Sequence, residues 1–287
     1  MPELPEVVTL ARYLREGRAG QERGICGLHF KECGLEWQRS LAEPEPAELN
    51  RRLCGQQITA IGTRGKFIWF SLSSDHLIFH LRMSGDLFYT SGLDRTASGQ
   101  KHIRFWASFE EGGWLVFNDP RKFGRIWLVS DPDTVFSRIG MEPFDDRLTP
   151  EAFHRLITAR RRQLKPLLLD QSVIAGLGNI YTDEALFLAK LHPLRDSAYL
   201  NRDETNRLLL SIREALREGI RRNGASIDWV YRGGDFQNHF NVYQQTGKPC
   251  PVCGTPIERI RVGQRGTHFC PFCQKMDISA FSEDRTE

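Results

Sequence analysis

The first regular pattern along the chain is a stripe of apolar positions, Val7, Val8, Leu10, Ala11 and Leu14, at helical spacing. Pro5 is tolerated at the first helical position, so the pattern predicts a helix starting just behind the N-terminus, with Pro2 and Glu3 ahead of it. From residue 21 to 130 the period changes. Short apolar or alternating runs at 58–61, 67–72, 77–81, 103–109, 114–117 and 126–129 are rich in Phe, Trp, Ile and Val and are broken by Gly, Ser, Asp and Asn. Such spacing predicts an antiparallel β-sandwich or barrel. Residues 91–101 read as a polar loop, and so does Glu43-Pro44-Glu45-Pro46. Prolines, Gly140 and several acids between Asp131 and Pro150 mark a linker. Beyond it the period is helical, with Thr149 as N-cap before Pro150 and helices expected over 150–161, 163–170, 179–190 and 203–222. The third opens after Gly176-Leu177-Gly178 and the fourth stops at Asn223-Gly224. Residues 225–247 are aromatic, glycine-containing and irregular.

Composition narrows the class. Hydrophobic residues at 40% and charged residues at 26% of 287 are values of a globular protein. A net charge of +3, from 39 basic and 36 acidic residues, requires any basic face to be local. The sequence has no apolar run of about 18 residues and no leader-like start, so a cytoplasmic protein with no membrane partner is expected. Four of the seven cysteines form two pairs, Cys250-Pro251-Val252-Cys253 and Cys270-Pro271-Phe272-Cys273, separated by sixteen residues. That is the spacing of a tetrahedral four-cysteine zinc site. Four thiolates leave no open coordination position, so the zinc is structural, and it supplies on the order of 10 kcal/mol to a segment too small for its own core. Between the knuckles a hairpin carries Arg259, Arg261 and Arg265 with Gly263 and Gly266. It suits a phosphate backbone or a solvated basic face, and the residues alone leave both open. Cys26, Cys33 and Cys54 read as buried or inert thiols without a role.

Two other stretches carry candidate chemistry. If Met1 is removed, Pro2 becomes a free secondary amine beside a carboxylate. An α-amino group titrates near pH 8, and a secondary amine condensing with an aldehyde-level carbon gives an iminium that acts as an electron sink, all at roughly neutral pH. The plain alternative is an ordinary start that happens to contain proline. A glycine-rich approach to a helix opening at Asn179, with Lys165 nearby in sequence, would present N–H groups to an anion. It is also an ordinary helix–helix connection.

Read together, Pro2-Glu3-Leu4-Pro5-Glu6-Val7, Arg64-Gly65-Lys66-Phe67, His80-Leu81-Arg82-Met83-Ser84-Gly85, Asp119-Pro120-Arg121-Lys122-Phe123-Gly124, Gly176-Leu177-Gly178-Asn179-Ile180-Tyr181 and the four-cysteine ribbon make the chain resemble the formamidopyrimidine-DNA glycosylase/endonuclease VIII family over essentially its whole length. The resemblance implies an α+β protein: an N-terminal antiparallel β-sandwich with a flanking helix, a C-terminal helical helix–two-turns–helix domain, and a four-cysteine zinc-finger β-hairpin. The corresponding division is 1–131, a linker at 132–149, 150–247, 248–275 and a tail at 276–287. It implies a monomeric base-excision repair enzyme, both DNA glycosylase and abasic-site lyase, with one structural Zn2+. Its partner would be double-stranded DNA carrying a damaged base or an abasic site, in the bacterial cytoplasm at the nucleoid.

By that resemblance Pro2 attacks C1′ of the damaged nucleotide, Glu3 is the general acid/base on the sugar, and Glu6 supports the N-terminal segment. Lys66 lies near the lesion and its phosphate. Asn179 and Arg265 contact phosphates, as do Lys165 and His102. Flipping the target out of the stack costs a few kcal/mol, on the order of one unstacking step. Met83, Arg121 and Phe123 fill the void, and Arg121 reads the cytosine opposite; without the family, Met83 and Phe123 would read as core. Strand cleavage follows by β- and δ-elimination. Met83 with the 121–123 loop fits the branch that excises oxidised purines. The stretch 228–237 is shorter than in that branch, and its Trp229, Tyr231 and Phe236 either stack on the flipped base or belong to the core. An endonuclease VIII-like enzyme for oxidised pyrimidines and a non-catalytic zinc-ribbon protein that binds damaged DNA are the alternatives.

Overall fold

The computed structural model describes residues 1–18, 22–94, 96, 100–226 and 233–276. By packing, the chain divides into two compact units, 1–138 with 222–235, and 139–221 with the residues from 236 on.

In the first unit helix α1 (Leu4–Glu16) precedes a small ribbon of β1 (Gly17–Arg18) and β2 (Glu22–Arg23). Then come β3 (Phe30–Leu35), β4 (Leu41–Glu43), helix α2 (Pro46–Leu53), β5 (Ile58–Arg64), β6 (Phe67–Leu72), β7 (His76–His80), β8 (Asp86–Thr90), β9 (Ile103–Phe109), β10 (Trp114–Asn118), β11 (Arg125–Val129) and the short helix α3 (Asp133–Phe136). One sheet has the order β3-β9-β10-β8 and the other β4-β11-β7-β6-β5. Pairing is antiparallel except where β4 runs parallel to β11. The expected alternation is realised: β6 buries Ile68, Phe70 and Leu72 and turns Phe67, Trp69 and Ser71 outward. Phe79 lies at the centre, its ring centroid 5.7 Å from those of Phe70, Phe105 and Phe117. Each such side chain contributes roughly 1.5–3 kcal/mol by leaving water. Helix α1 lays Val7, Leu10, Ala11 and Leu14 on β5, β6 and β8.

Three features depart from the sequence reading. Residues 46–53 are helical inside the β region, because Pro46 opens a helix and Leu49 and Leu53, one turn apart, are its buried face. The stretch expected as linker contains α3, whose Phe136 ring packs 5.7 Å from Phe67. Residues 222–226 and 233–235 pack with the first unit, although the sequence division keeps them with the helical part. Of the three unassigned thiols Cys26 is exposed rather than buried, while Cys33 and Cys54 are half-buried. Burial pushes the Cys33 thiol up to about 12 and raises the other two, so none is an activated nucleophile.

The second unit contains α4 (Pro150–Thr158), α5 (Leu164–Leu169), α6 (Asn179–Leu188), α7 (Arg202–Arg221), β12 (Glu258–Val262) and β13 (Arg265–Phe269). Thr149 caps α4 as expected, its hydroxyl accepting from the Ala152 N–H at 3.2 Å. Helix α7 buries Leu208, Leu209, Ile212, Ala215 and Leu216 against α4 and α6. Helix α6 is buried on nearly all sides, polar residues included, so its carboxylates need internal partners. Glu184 accepts from the N–H groups of Asn241, Val242 and Tyr243 and from the Asn241 side chain at 2.9–3.0 Å. No helix of the described residues is long and apolar enough to cross a membrane.

Candidate functional site

In the first unit, the N-terminal group is built around a buried carboxylate. Pro2 is buried, and Glu3 and Glu6 are each only 2% exposed. At that depth Glu6 must find donors. Its Oε2 accepts from the Glu3 N–H at 2.8 Å, half of a capping box, and its Oε1 accepts from the Ala225 N–H at 2.7 Å. The Arg12 guanidinium donates to Asn223 Oδ1 at 2.5 Å, fastening the same return segment. Between these ties Gly224 has φ +81°, and a Cβ there would lie 2.6 Å from Glu6 Oε1, so only glycine fits.

Lys66 occupies the β5–β6 turn behind Gly65 (φ +55°) and is 5% exposed. The residue after it, Phe67, pairs with His80. Burial, then the charges of Arg82 and Lys66, push the His80 ring down to about 3. Geometry agrees, since the Arg82 N–H donates to His80 Nδ1 at 3.0 Å and only an unprotonated nitrogen accepts.

The expected void-filling residues are not core. Met83 is half-buried, Arg121 is exposed, and Phe123 is 49% exposed with the Arg121 guanidinium 5.2 Å from its ring centre. What holds them is Asp119, which is fully buried. Its carboxylate accepts from Ser84 Oγ at 2.5 Å, from the Arg121 N–H at 3.2 Å and from the Gly124 N–H at 2.8 Å. His102 is exposed beside this loop, its backbone joined to Asn118 and Asp119 at 2.8 and 2.9 Å. Ser84 and Asp119 stand inside the motifs at 80–85 and 119–124, which by themselves assign neither a role. The available signal was an acid placed before a proline in a turn, where Asp commonly bonds backbone N–H groups.

In the second unit Asn179 is the first residue of α6, and its Nδ2 donates to the Gly266 carbonyl at 3.1 Å. Arg265, next to Gly266, is exposed. The β12–β13 turn consists of Gly263 and Gln264, both with positive φ (52° and 67°), the type I′ geometry favoured in tight hairpins. Asn179 and Arg265 thus lie on neighbouring backbone, with a helix N-terminus alongside.

Lys165 is a correction. Instead of facing a phosphate, its ammonium is wholly buried, 2.6 Å from Asp183 Oδ1 and 3.0 Å from the Gly266 carbonyl. Asp183 Oδ2 in turn accepts from the His268 N–H at 2.9 Å. The lysine ties α5, α6 and β13 together. Phe236 is also settled: it is buried and stacks on Tyr181 with centroids 5.1 Å apart, so it is core. Trp229 and Tyr231, like the tail from 277 on, lie outside the described residues.

The sulfurs of Cys250, Cys253, Cys270 and Cys273 all lie within 4.8 Å of one another. Two of the separations are 3.5 Å (Cys253–Cys270) and 3.9 Å (Cys250–Cys273). A tetrahedron with Zn–S bonds of about 2.3 Å has edges of roughly 3.8 Å, so the donor set fits one zinc ion.

Residues 1–126 match the formamidopyrimidine-DNA glycosylase N-terminal domain, 139–230 the formamidopyrimidine-DNA glycosylase H2TH domain, and 247–275 the zinc finger found in FPG and IleRS. The formamidopyrimidine-DNA glycosylase of Chloroflexus aurantiacus is 43% identical over 284 residues, covering 96% of this chain and 98% of its own. That of Protochlamydia amoebophila is 40% identical over 284 residues, covering 96% and 100%. Among solved structures, a Lactococcus lactis FPG variant in complex with Fapy-dG-containing DNA is 36% identical, with a TM-score of 0.86 over 96% of this chain and 100% of its own. MutM in complex with DNA containing carbocyclic 8-oxo-G is 37% identical, with the same TM-score and coverage.

Proposed function

The chain belongs to the formamidopyrimidine-DNA glycosylase family, and from that premise we propose that it excises oxidised purines from double-stranded DNA and cleaves the strand at the resulting abasic site. The observation that carries this reading is the buried N-terminal group, in which Pro2 and Glu3 head a helix held by Glu6. A protein that only bound DNA would have no use for an amine prepared there.

In this reading Met1 is removed and the Pro2 nitrogen attacks C1′. The glycosidic bond breaks, and the base leaves with the bonding electrons and takes up a proton. Glu3 moves the proton that lets the sugar ring open, and an iminium forms between Pro2 and C1′. The iminium acidifies C2′. Loss of a C2′ proton expels the 3′ phosphate, a second elimination expels the 5′ phosphate, and hydrolysis frees Pro2. Lys66 supplies positive charge at the lesion. Arg121, Met83 and Phe123 enter the stack, with Arg121 bonding the base left opposite. His102 from the first unit and Asn179 and Arg265 from the second hold phosphates, which position the protein without reading sequence. The zinc organises the hairpin that carries Arg265 and takes no part in the chemistry. The enzyme works as a monomer in the cytoplasm, on DNA at the nucleoid.

The test is borohydride trapping on a duplex with one abasic site, comparing wild type with Pro2→Gly. An adduct that requires the Pro2 amine supports the lyase. No adduct, with Met1 shown absent by mass spectrometry and the DNA still bound, would leave a binding protein. A lesion panel then decides preference. It must include oxidised pyrimidines, because the L. lactis relative has also been crystallised with DNA containing one.

A further inference from the structure

Two chain crossings carry the side chains assigned to the duplex. One runs from His80, the end of β7, to Asp86, the start of β8, and carries Met83. The other runs from Asn118, the end of β10, to Arg125, the start of β11, and carries Arg121 and Phe123. Strands β7 and β11 are neighbours in one sheet, where His80 pairs with Arg125. Strands β8 and β10 are neighbours in the other, where Asp86 pairs with Asn118. Backbone pairing therefore fixes both crossings at both ends. Within each middle a backbone hydrogen bond closes a turn, Gly85 N–H to the Leu81 carbonyl and Lys122 N–H to the Asp119 carbonyl, and a side-chain contact joins one middle to the other.

That contact is Ser84 with Asp119. The Asp119 carboxylate takes the Ser84 hydroxyl from the first crossing at 2.5 Å and the Arg121 and Gly124 N–H groups from the second at 3.2 and 2.8 Å. Ser84 Oγ itself accepts from the Arg121 N–H at 3.3 Å. Arg104 Nε donates to the Asp119 carbonyl at 2.7 Å and so steadies the same residue. Asp119 is 0% and Ser84 5% exposed. A buried carboxylate sharing three donors in low dielectric is costly to disturb, so this network holds one geometry.

We propose that Ser84 and Asp119 are positioning residues that lock Met83 and the Arg121–Phe123 pair into a single wedge. Discrimination between bases opposite the lesion then depends on a hydrogen-bonded pair buried behind the side chains that touch DNA. This rests on the glycosylase reading above, in which Arg121 bonds the orphaned base.

The variants are Ser84→Ala, Ser84→Thr and Asp119→Asn, the last placing an NH2, which cannot accept, opposite either the Gly124 N–H or the Arg121 N–H. Single-turnover excision is measured on duplexes with the lesion opposite C and opposite A. Borohydride trapping is measured on a single-stranded abasic oligonucleotide, which has no opposite base. Small misplacements of positioning groups cost on the order of 10²-fold in rate. Ser84→Ala and Asp119→Asn should lose about tenfold or more on the duplex, with the C-over-A preference falling toward one. Ser84→Thr, which keeps the hydroxyl, should restore the preference, and single-strand trapping should match wild type throughout. If Asp119→Asn does not fold, the Ser84→Ala and Ser84→Thr pair decides. A wild-type preference in folded Ser84→Ala, or equal losses on single strand and duplex, overturns the proposal. Failure of the wild type to trap any abasic DNA overturns the parent reading and the proposal with it.

Discussion

Glu6→Gln tests how the N-terminal group is held. The side chain is 2% exposed, and each of its oxygens serves one backbone donor, Glu3 N–H at 2.8 Å and Ala225 N–H at 2.7 Å. Glutamine is nearly the same size and offers one acceptor oxygen and one NH2. Whichever way the amide turns, a buried N–H meets another donor. Losing one hydrogen bond to a charged group costs roughly 1.5–3 kcal/mol, and leaving its partner buried and unsatisfied makes the upper end apply, so about 3 kcal/mol is expected. That is a large share of a typical total stability of about 5–15 kcal/mol. The assay is urea unfolding followed by far-UV circular dichroism, with the midpoint and slope read separately. Trapping on abasic DNA should fall more than stability alone explains, because residues 223–225 and the first turn of α1 lose their common tie. An unfolding free energy within about 0.5 kcal/mol of wild type, the range of an ordinary surface change, would refute the reasoning.

His80 predicts a specific acid lability. The folded pKa is about 3 against 6.5 for the free side chain, so the stabilisation is full above pH 6.5 and is lost as the pH falls toward 3. In that window the unfolded chain binds a proton that the folded chain refuses, and stability drops by up to about 1.4 kcal/mol per pH unit. In denaturant titrations at stepped pH, His80→Gln should show a shallower fall over that interval, and parallel curves would count against the buried neutral ring. Lys165→Met leaves Asp183 buried without its cation and should cost about 3–5 kcal/mol. The salt dependence of DNA binding should keep its slope in that variant, whereas a phosphate contact would lower the slope by about one. Zinc should be bound at one ion per chain. Stripping it with a chelator under reducing conditions should abolish retention of duplex DNA and expose residues 247–275 to protease, since metal binding on the order of 10 kcal/mol is folding free energy for so small a segment.

How much of this was legible in the chain follows from the range of the forces involved. Periodicity is local, so the stripe on α1, the alternation on β6 and the caps at Thr149 and Asn223-Gly224 could be read directly, and they lie where expected. The zinc site was legible for the same reason: four thiolates on two short knuckles fix a tetrahedron by spacing alone. The candidate Pro2, Glu3, Lys66, Arg121, Asn179 and Arg265 were found through motifs.

What the sequence could not supply were the partners of buried charges, because these come from residues far apart. Lys165 looks like a surface cation on a short helix, and only packing shows it spent on Asp183 and the Gly266 carbonyl, 101 residues away. Glu6 meets Ala225 across 219 residues. Ser84 and Asp119 meet across 35 residues, because two sheets place their crossings side by side. The reverse error, taking Phe123 alone for core, has the same origin: hydrophobicity does not say whether a loop points inward. Local pattern determined the elements and the metal ligands. The tertiary structure decided which charges face outward, because in a low-dielectric interior a charge must find its partner wherever the fold brings one.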